Sequence, residues 1–191
     1  MRKLLFALAA TAFLVPAAAM ADSEFSIMLD GGAAKYNQSL SGSDVGAAYG
    51  ARLGILPTPM LGVEIGYLGT QNNVNESLSQ GRVASTLKTN QGFGDVRLNI
   101  LPGSVTPYVF GGYGMTWLSG AAASGIPNQH VNTLPFGAGV DANIGAFKVG
   151  GRFQYNYLFD SIDTSSNGVN ANKGGSSDFW NATVNLGASF R

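Results

Sequence analysis

The ionisable residues within the apolar stretches of this chain all fall on one side of a two-residue alternation, and no other property narrows its fold as much. In 147–159, Phe147, Val149, Phe153, Tyr155, Tyr157 and Phe159 alternate with Lys148, Arg152, Gln154 and Asn156. A β-strand turns successive side chains to opposite faces, so the pattern describes a strand with one apolar and one polar face. Further segments alternate in the same way: Phe25–Ala33, Val45–Leu56, Leu61–Tyr67, Asp95–Ile100, Phe136–Ile144 and Trp180–Phe190. Tyr108–Leu118 is rich in glycine and aromatics on both phases, and its faces stay unassigned. The charges inside these segments are Asp30, Arg52, Glu64, Asp95, Arg97, Asp141, Lys148 and Arg152, and every one shares the polar phase. Chance would place them so about once in 2^8 trials.

Composition decides what the apolar face meets. Charged residues are only 12% of the chain, about half the usual share. Glycine is abundant, at 27 residues, and cysteine is absent, so the fold holds without disulfides. Low charge without a helical span of roughly 20 apolar residues suits a membrane β-barrel, which hides its hydrophobicity by alternating it. A charge on the lipid face near the bilayer middle costs about 2–4 kcal/mol, so the polar phase must turn inward. Lys88 shares the phase of Val96 and lies far enough from Ile100 to project beyond the hydrocarbon.

Connection lengths carry the topology. Tight links at Pro57–Pro59, Pro102–Thr106 and Gly145–Ala146 alternate with long ones at 37–44, 71–84, 119–132 and 160–178. Short turns on one side and long loops on the other predict an eight-stranded antiparallel up-and-down transmembrane β-barrel, with both termini at the short-turn side. A soluble sandwich or a lipocalin-like barrel would also alternate; the connections and an export signal favour the membrane form.

That signal is read at the start of the chain. A basic Met1-Arg2-Lys3 precedes an apolar run from Leu4 to Val15, a break at Pro16, and the small-x-small motif of Ala19 and Ala21. This predicts a signal peptide over 1–21, cleaved after Ala21, and a barrel domain over 22–191. The formal net charge is zero, which leaves no basic field to attract nucleic acid.

Eight strands enclose a space that side chains can fill. The inward cations Arg52, Arg97, Lys148 and Arg152 balance the inward anions Asp30, Glu64, Asp95 and Asp141. They are expected to form a buried ion-pair network with Asn99, Asn143, Gln154, Asn156 and Asn181, which would block a continuous water channel. Outward Tyr49, Tyr67, Phe136, Phe147, Tyr157, Phe159, Trp180 and Phe190 are candidates for the aromatic girdles of the two interfaces.

The export signal, the eight amphipathic strands, the segment Tyr108-Val109-Phe110-Gly111-Gly112-Tyr113-Gly114 and a last strand ending near Phe190 resemble the OmpA/OmpX/opacity-type family of small outer-membrane β-barrels. The resemblance implies residence in the bacterial outer membrane, contact with membrane lipid and lipopolysaccharide, and insertion by the outer-membrane assembly machinery. That machinery commonly reads a C-terminal aromatic; here Phe190 is penultimate and Arg191 last. Family members act as structural, adhesive or defensive surface proteins or as narrow pores. A structural or surface-interaction role without catalysis, cofactor or metal is the leading expectation, and a narrow porin-like channel is a rival.

A third reading is a lipid A-modifying barrel enzyme of the deacylase type, which uses a His-Ser dyad. His130 is the only histidine and is expected in the third surface loop. The chain reads His130-Val131-Asn132-Thr133, which shifts the hydroxyl by one residue to the other side of the pleat. Ser119 or Ser124 would have to approach across the loop for a nucleophile to meet its base. Asp160, Asp163 and Asp178 flank a Ser/Asn/Gly-rich loop without EF-hand order, which favours a solvated loop over a cation site.

Overall fold

The computed structural model describes residues 23–37, 45–78, 81–119, 129–159 and 178–190, with the side chains of 73–87 and 129 outside the description. Within them eight strands pair antiparallel in chain order and close into a barrel. They are β1 (Glu24–Tyr36), β2 (Gly46–Leu56), β3 (Leu61–Leu78), β4 (Gly81–Asn99), β5 (Val105–Ser119), β6 (Gln129–Ile144), β7 (Phe147–Leu158) and β8 (Phe179–Phe190). Closure comes from β1 against β8, with Phe25 opposite Phe190 and Tyr36 opposite Phe179. A closed sheet pairs its backbone groups without leaving an edge, as hydrocarbon requires. The expected signal peptide with Ala19 and Ala21 lies outside the described residues, as do 38–44, 120–128 and 160–177, which contain most of three expected loops.

Two expectations about the loops are corrected. Of the stretch 71–84, residues 71–78 and 81–84 are paired sheet: β3 and β4 continue together from Asn72 opposite Leu87 to Leu78 opposite Gly81. Its polar run lacks alternation because this ribbon extends past the level where lipid demands an apolar face. His130 is likewise the second residue of β6, opposite Trp117, rather than part of a loop.

The register fixes the geometry. Following hydrogen-bonded partners round the barrel from Leu61 leads through Leu98, Val109, Ala138, Phe153, Ala182, Ala33 and Ala47 to Gln71. The path returns to β3 ten residues further on. A stagger of that size, at ~3.3 Å per residue against eight strands ~4.8 Å apart, tilts the strands by about 41°. Each residue then climbs about 2.5 Å along the barrel axis, and each step to the next strand on that path about 3 Å.

Glycine makes room inside the cylinder. A Cβ at Gly112 would overlap the Gly94 carbonyl oxygen and Asp95 Oδ1. One at Gly150 would collide with Asp141 Oδ1, and one at Gly139 would enter the Tyr108 ring. The inward glycines are thus the seats of particular inward side chains. Gly145 supplies the turn between β6 and β7 with φ of 65°, a conformation that costs a residue without Cβ little.

Candidate functional site

The interior is layered. Near the short turns Lys148 is ion-paired with Glu24. Beside them a cavity of about 260 Å³ is lined by Arg97, Asn99, Asp141, Asn143 and Thr106 among others. Above it lies the charge network, organised on Glu64. Arg52 Nη1 donates to Glu64 at 3.0 Å, Arg152 Nη1 at 2.8 Å and Arg97 Nη1 at 3.2 Å. Each arginine also holds a second carboxylate: Arg52 grips Asp30 through Nε at 2.9 Å and Nη2 at 2.8 Å, Arg97 reaches Asp141 at 2.6 Å, and Arg152 reaches Asp95 at 2.5 Å. Side-chain exposure across the network is 6% or less.

Hydrogen bonds and rings complete the layer. Asn185 lies between two members, its oxygen accepting from Arg52 Nη2 at 2.9 Å and its nitrogen donating to Asp30 at 3.0 Å. Arg97 Nε donates to Asn99 Oδ1 at 2.8 Å. The Arg97 guanidinium lies 3.6 Å over the Tyr108 ring, and that of Arg152 3.3 Å over Phe110. Planar guanidinium groups suit this setting because they can fork onto carboxylates and stack on rings together.

Further from the turns the charges give way to amides and hydroxyls. Gln91 and Gln154 both donate to Asn156, and the hydroxyls of Thr116 and Thr133 meet at 2.6 Å. The Tyr36 hydroxyl bonds Thr89. Tyr36, Leu68, Leu118, Val131, Leu158 and Phe179 form an apolar cluster inside the barrel at this end.

The structure places the eight charged residues singled out from the sequence inside the barrel, together with companions that sequence reasoning misses. Glu24 stands just before the strand that the alternation predicts from Phe25; it shares the parity of Ser26 and Asp30 and makes the charges five anions against four cations. Tyr108 and Phe110 lie on the unassigned fifth strand, where the parity of Thr106 and Thr116, both buried, marks the inward face. The inward apolar cluster has no sequence signal, since leucine on the polar phase reads as a break in alternation.

The outward face is apolar, with Phe25, Ile27, Leu29, Leu53, Ile65, Val96, Phe153, Val184 and Leu186 exposed. Measured along the axis from Leu61, this face starts at Ile144, Phe190, Val105 and Phe147, about 3–6 Å below. Tyr49, Tyr67, Tyr113 and Tyr155 form a ring about 15–18 Å above Leu61. Allowing for the reach of the tyrosine hydroxyls, the apolar band between these limits is about 25 Å tall, as expected of outer-membrane barrels. Phe147 and Phe190 therefore lie at one edge, Trp180, Tyr157 and Phe159 at or beyond the other. Phe136 stands deeper, packed on Tyr155 with centroids 5.5 Å apart. The charge network falls near the middle of the band.

Of the residues considered for other chemistry, Ser119 shares the outward face of His130 on the neighbouring strand, and the other described ones lie apart from it. His130 faces outward and exposed, whereas Thr133 faces inward, wholly buried. Asp178 accepts from the Leu158 backbone N–H at 3.1 Å and the Tyr155 hydroxyl at 3.0 Å, which occupies both its oxygens; Asp160, Asp163 and Ser124 lie outside the described residues.

Comparison with known proteins agrees with this architecture. No curated protein matches the chain in sequence. Among solved structures, Neisserial surface protein A superposes with a TM-score of 0.58 at 13% identity, covering 88% of this chain and 97% of that one. A major outer membrane protein from Thermus thermophilus gives 0.54 at 15% identity, over 88% and 98%. Ail, the attachment invasion locus protein of Yersinia pestis, in complex with the heparin analogue sucrose octasulfate, gives 0.52 at 16% identity, over 88% and 97%. These likenesses are of fold. The sequence model for the outer membrane protein beta-barrel domain matches residues 5–191, so the chain belongs to that family and is a small barrel of the OmpA/OmpX/Ail type in the bacterial outer membrane.

Proposed function

We propose that this barrel is a non-enzymatic structural and surface-interaction protein whose interior admits no solute stream. The observation that supports this most is the convergence of Arg52, Arg97 and Arg152 on Glu64, with Tyr108 and Phe110 stacked against two of them. Groups held by several charge-assisted hydrogen bonds are costly to displace, and eight strands leave little width beyond what side chains fill. In this reading a signal peptide ending at Ala21 exports the chain and the assembly machinery inserts it. Lipopolysaccharide and other lipids surround it, and the connections at the extracellular end carry whatever recognition occurs.

Planar-bilayer recording tests the closed interior. The wild type should pass no steady current, and a variant neutralised at Arg52, Glu64, Arg97 and Asp141 should differ from it; stepwise conductance by the wild type would establish the narrow pore instead. Mass spectra of lipid A from cells carrying the wild type or His130→Ala should be identical, because Thr133, the hydroxyl that follows His130 in sequence, turns to the opposite face; a difference would establish the enzyme, with the outward Ser119 as its candidate nucleophile.

A further inference from the structure

The cavity at the short-turn end of the barrel is lined by two residues with a buried oxygen that has no hydrogen-bond partner among the described residues: Asp141 Oδ1 and Asn143 Oδ1. Both are acceptors, two residues apart on the inward face of β6. The Asp141 side chain is 1% exposed, and its other oxygen already accepts from Arg97 Nη1. Gly150 leaves room in front of Asp141 Oδ1, since a Cβ there would stand 2.3 Å from it. Asn143 is anchored to the turn that precedes β5. Its backbone N–H donates to the Ser104 carbonyl at 2.8 Å and its Nδ2 to the Gly103 carbonyl at 2.9 Å. That anchoring commits the amide nitrogen to the wall and leaves the oxygen for the cavity.

Size and access fit a small molecule. The cavity holds about 260 Å³, whereas one water needs only about 10–15 Å³. Thr58, Pro59, Pro102 and Gly103 of the short turns line it, which places its opening at the barrel mouth. A second space of about 450 Å³, bordered by Ser104, Gly145 and Ser189, shares Glu24, Gly103 and Asn143 with it. Leu56, Pro59 and Pro102 give part of the wall an apolar surface. Charge has a sign here as well. From Glu24 through the network, the carboxylates of Glu24, Asp30, Glu64, Asp95 and Asp141 outnumber by one the cations Arg52, Arg97, Lys148 and Arg152.

We infer that this cavity binds a small primary alkylammonium ion, with Asp141 Oδ1 and Asn143 Oδ1 accepting from its nitrogen and Leu56, Pro59 and Pro102 covering its alkyl chain. A buried carboxylate oxygen without a donor is costly, and a charged N–H donor supplies both the hydrogen bond and the missing positive charge. A guanidinium matches the site less well. Its planar fork grips both oxygens of a carboxylate, and one oxygen of Asp141 is already held by Arg97. An ammonium is a compact charge that is satisfied by single oxygens. A calcium ion takes about 6–8 oxygen ligands, and among the described residues no three metal-ligating side chains gather.

Two-dimensional proton–nitrogen NMR of the folded protein in uncharged micelles tests this. The probe is n-butylammonium chloride, and the control is tetramethylammonium chloride, which has the same charge but no N–H donor. Heat-modifiable gel mobility first establishes that each variant is closed. Butylammonium should shift the Gly103 and Asn143 signals saturably, and tetramethylammonium should not. Asn143→Ala should weaken binding about tenfold, the lower range for a hydrogen bond to a charged group. Asn143→Asp, which adds a second charge beside the ligand, should strengthen it. Asp141→Asn should reduce it below detection; if that variant fails to close, the two Asn143 variants decide. The absence of saturable shifts in the wild type would leave the cavity to water and overturn the proposal. Equal shifts from both cations, or unchanged affinity in either Asn143 variant, would overturn it too.

Discussion

Replacing Glu64 with glutamine removes the one carboxylate that three guanidinium groups share. Arg52, Arg97 and Arg152 would each keep a second anion, Asp30, Asp141 and Asp95 respectively, so none becomes wholly unpaired. The glutamine oxygen can still accept, but its NH2 group donates and must sit among donors. Bonds to charged groups contribute about 1.5–3 kcal/mol each, and breaking a buried ion pair by removing one partner costs about 3–5 kcal/mol. Because the second anions remain, we expect Glu64→Gln to cost about 3–5 kcal/mol rather than the sum of three bonds. With a urea slope near 2 kcal/mol per molar, the unfolding midpoint should fall by about 2 M. The assay is reversible urea unfolding in lipid vesicles, read by gel mobility and tryptophan fluorescence. Asp30→Asn, at the margin of the network where Glu64 and Asn185 still hold Arg52, should lose about half as much. A midpoint for Glu64→Gln within about 0.3 M of wild type would refute the view of Glu64 as the hub of a stabilising network.

Other outcomes follow from the same geometry. Gly112→Ala, whose methyl would overlap the Gly94 carbonyl, should destabilise by about 1–3 kcal/mol or stop assembly. Gly151→Ala, with its nearest neighbour at 3.9 Å, should leave the urea midpoint almost unchanged. Leu53→Arg, on the lipid face near the middle of the apolar band, should cost about 2–4 kcal/mol in vesicles, and Gln71→Arg, at the outer boundary, about 0–1 kcal/mol. Similar losses at both positions would contradict the axial scale.

How far the sequence can be read follows from what lipid enforces. Across the apolar band a misplaced charge is costly, so Asp30, Arg52, Glu64, Asp95, Arg97, Asp141, Lys148 and Arg152 announce the inward phase. Strand β7, where Arg152, Gln154 and Asn156 alternate with Phe153, Tyr155 and Tyr157, is legible for that reason. Beyond the band the penalty vanishes and so does the pattern, which is why paired strand at 71–78 and 81–84 resembles a loop and His130 reads as lying outside β6. Within the barrel the constraint is volume rather than polarity. Tyr108 and Phe110 can therefore face inward against arginines, and Leu118, Val131 and Leu158 can cluster there, without any periodic trace. The pairing of Lys148 with Glu24 is hidden because it joins β7 to β1 across β8, between residues 124 apart in the chain that meet only because β1 closes on β8.

The proposition beneath all of this is that the polar phase of each strand faces the inside of a closed cylinder while the other phase meets lipid. The native chain contains no cysteine, so single cysteines at Ala182, Thr183, Val184, Asn185 and Leu186 can be labelled with an environment-sensitive fluorophore and quenched by brominated lipids. Strong quenching at 182, 184 and 186 with weak quenching at 183 and 185 is the predicted result. Uniform quenching along the five positions, or the opposite phase, would contradict it.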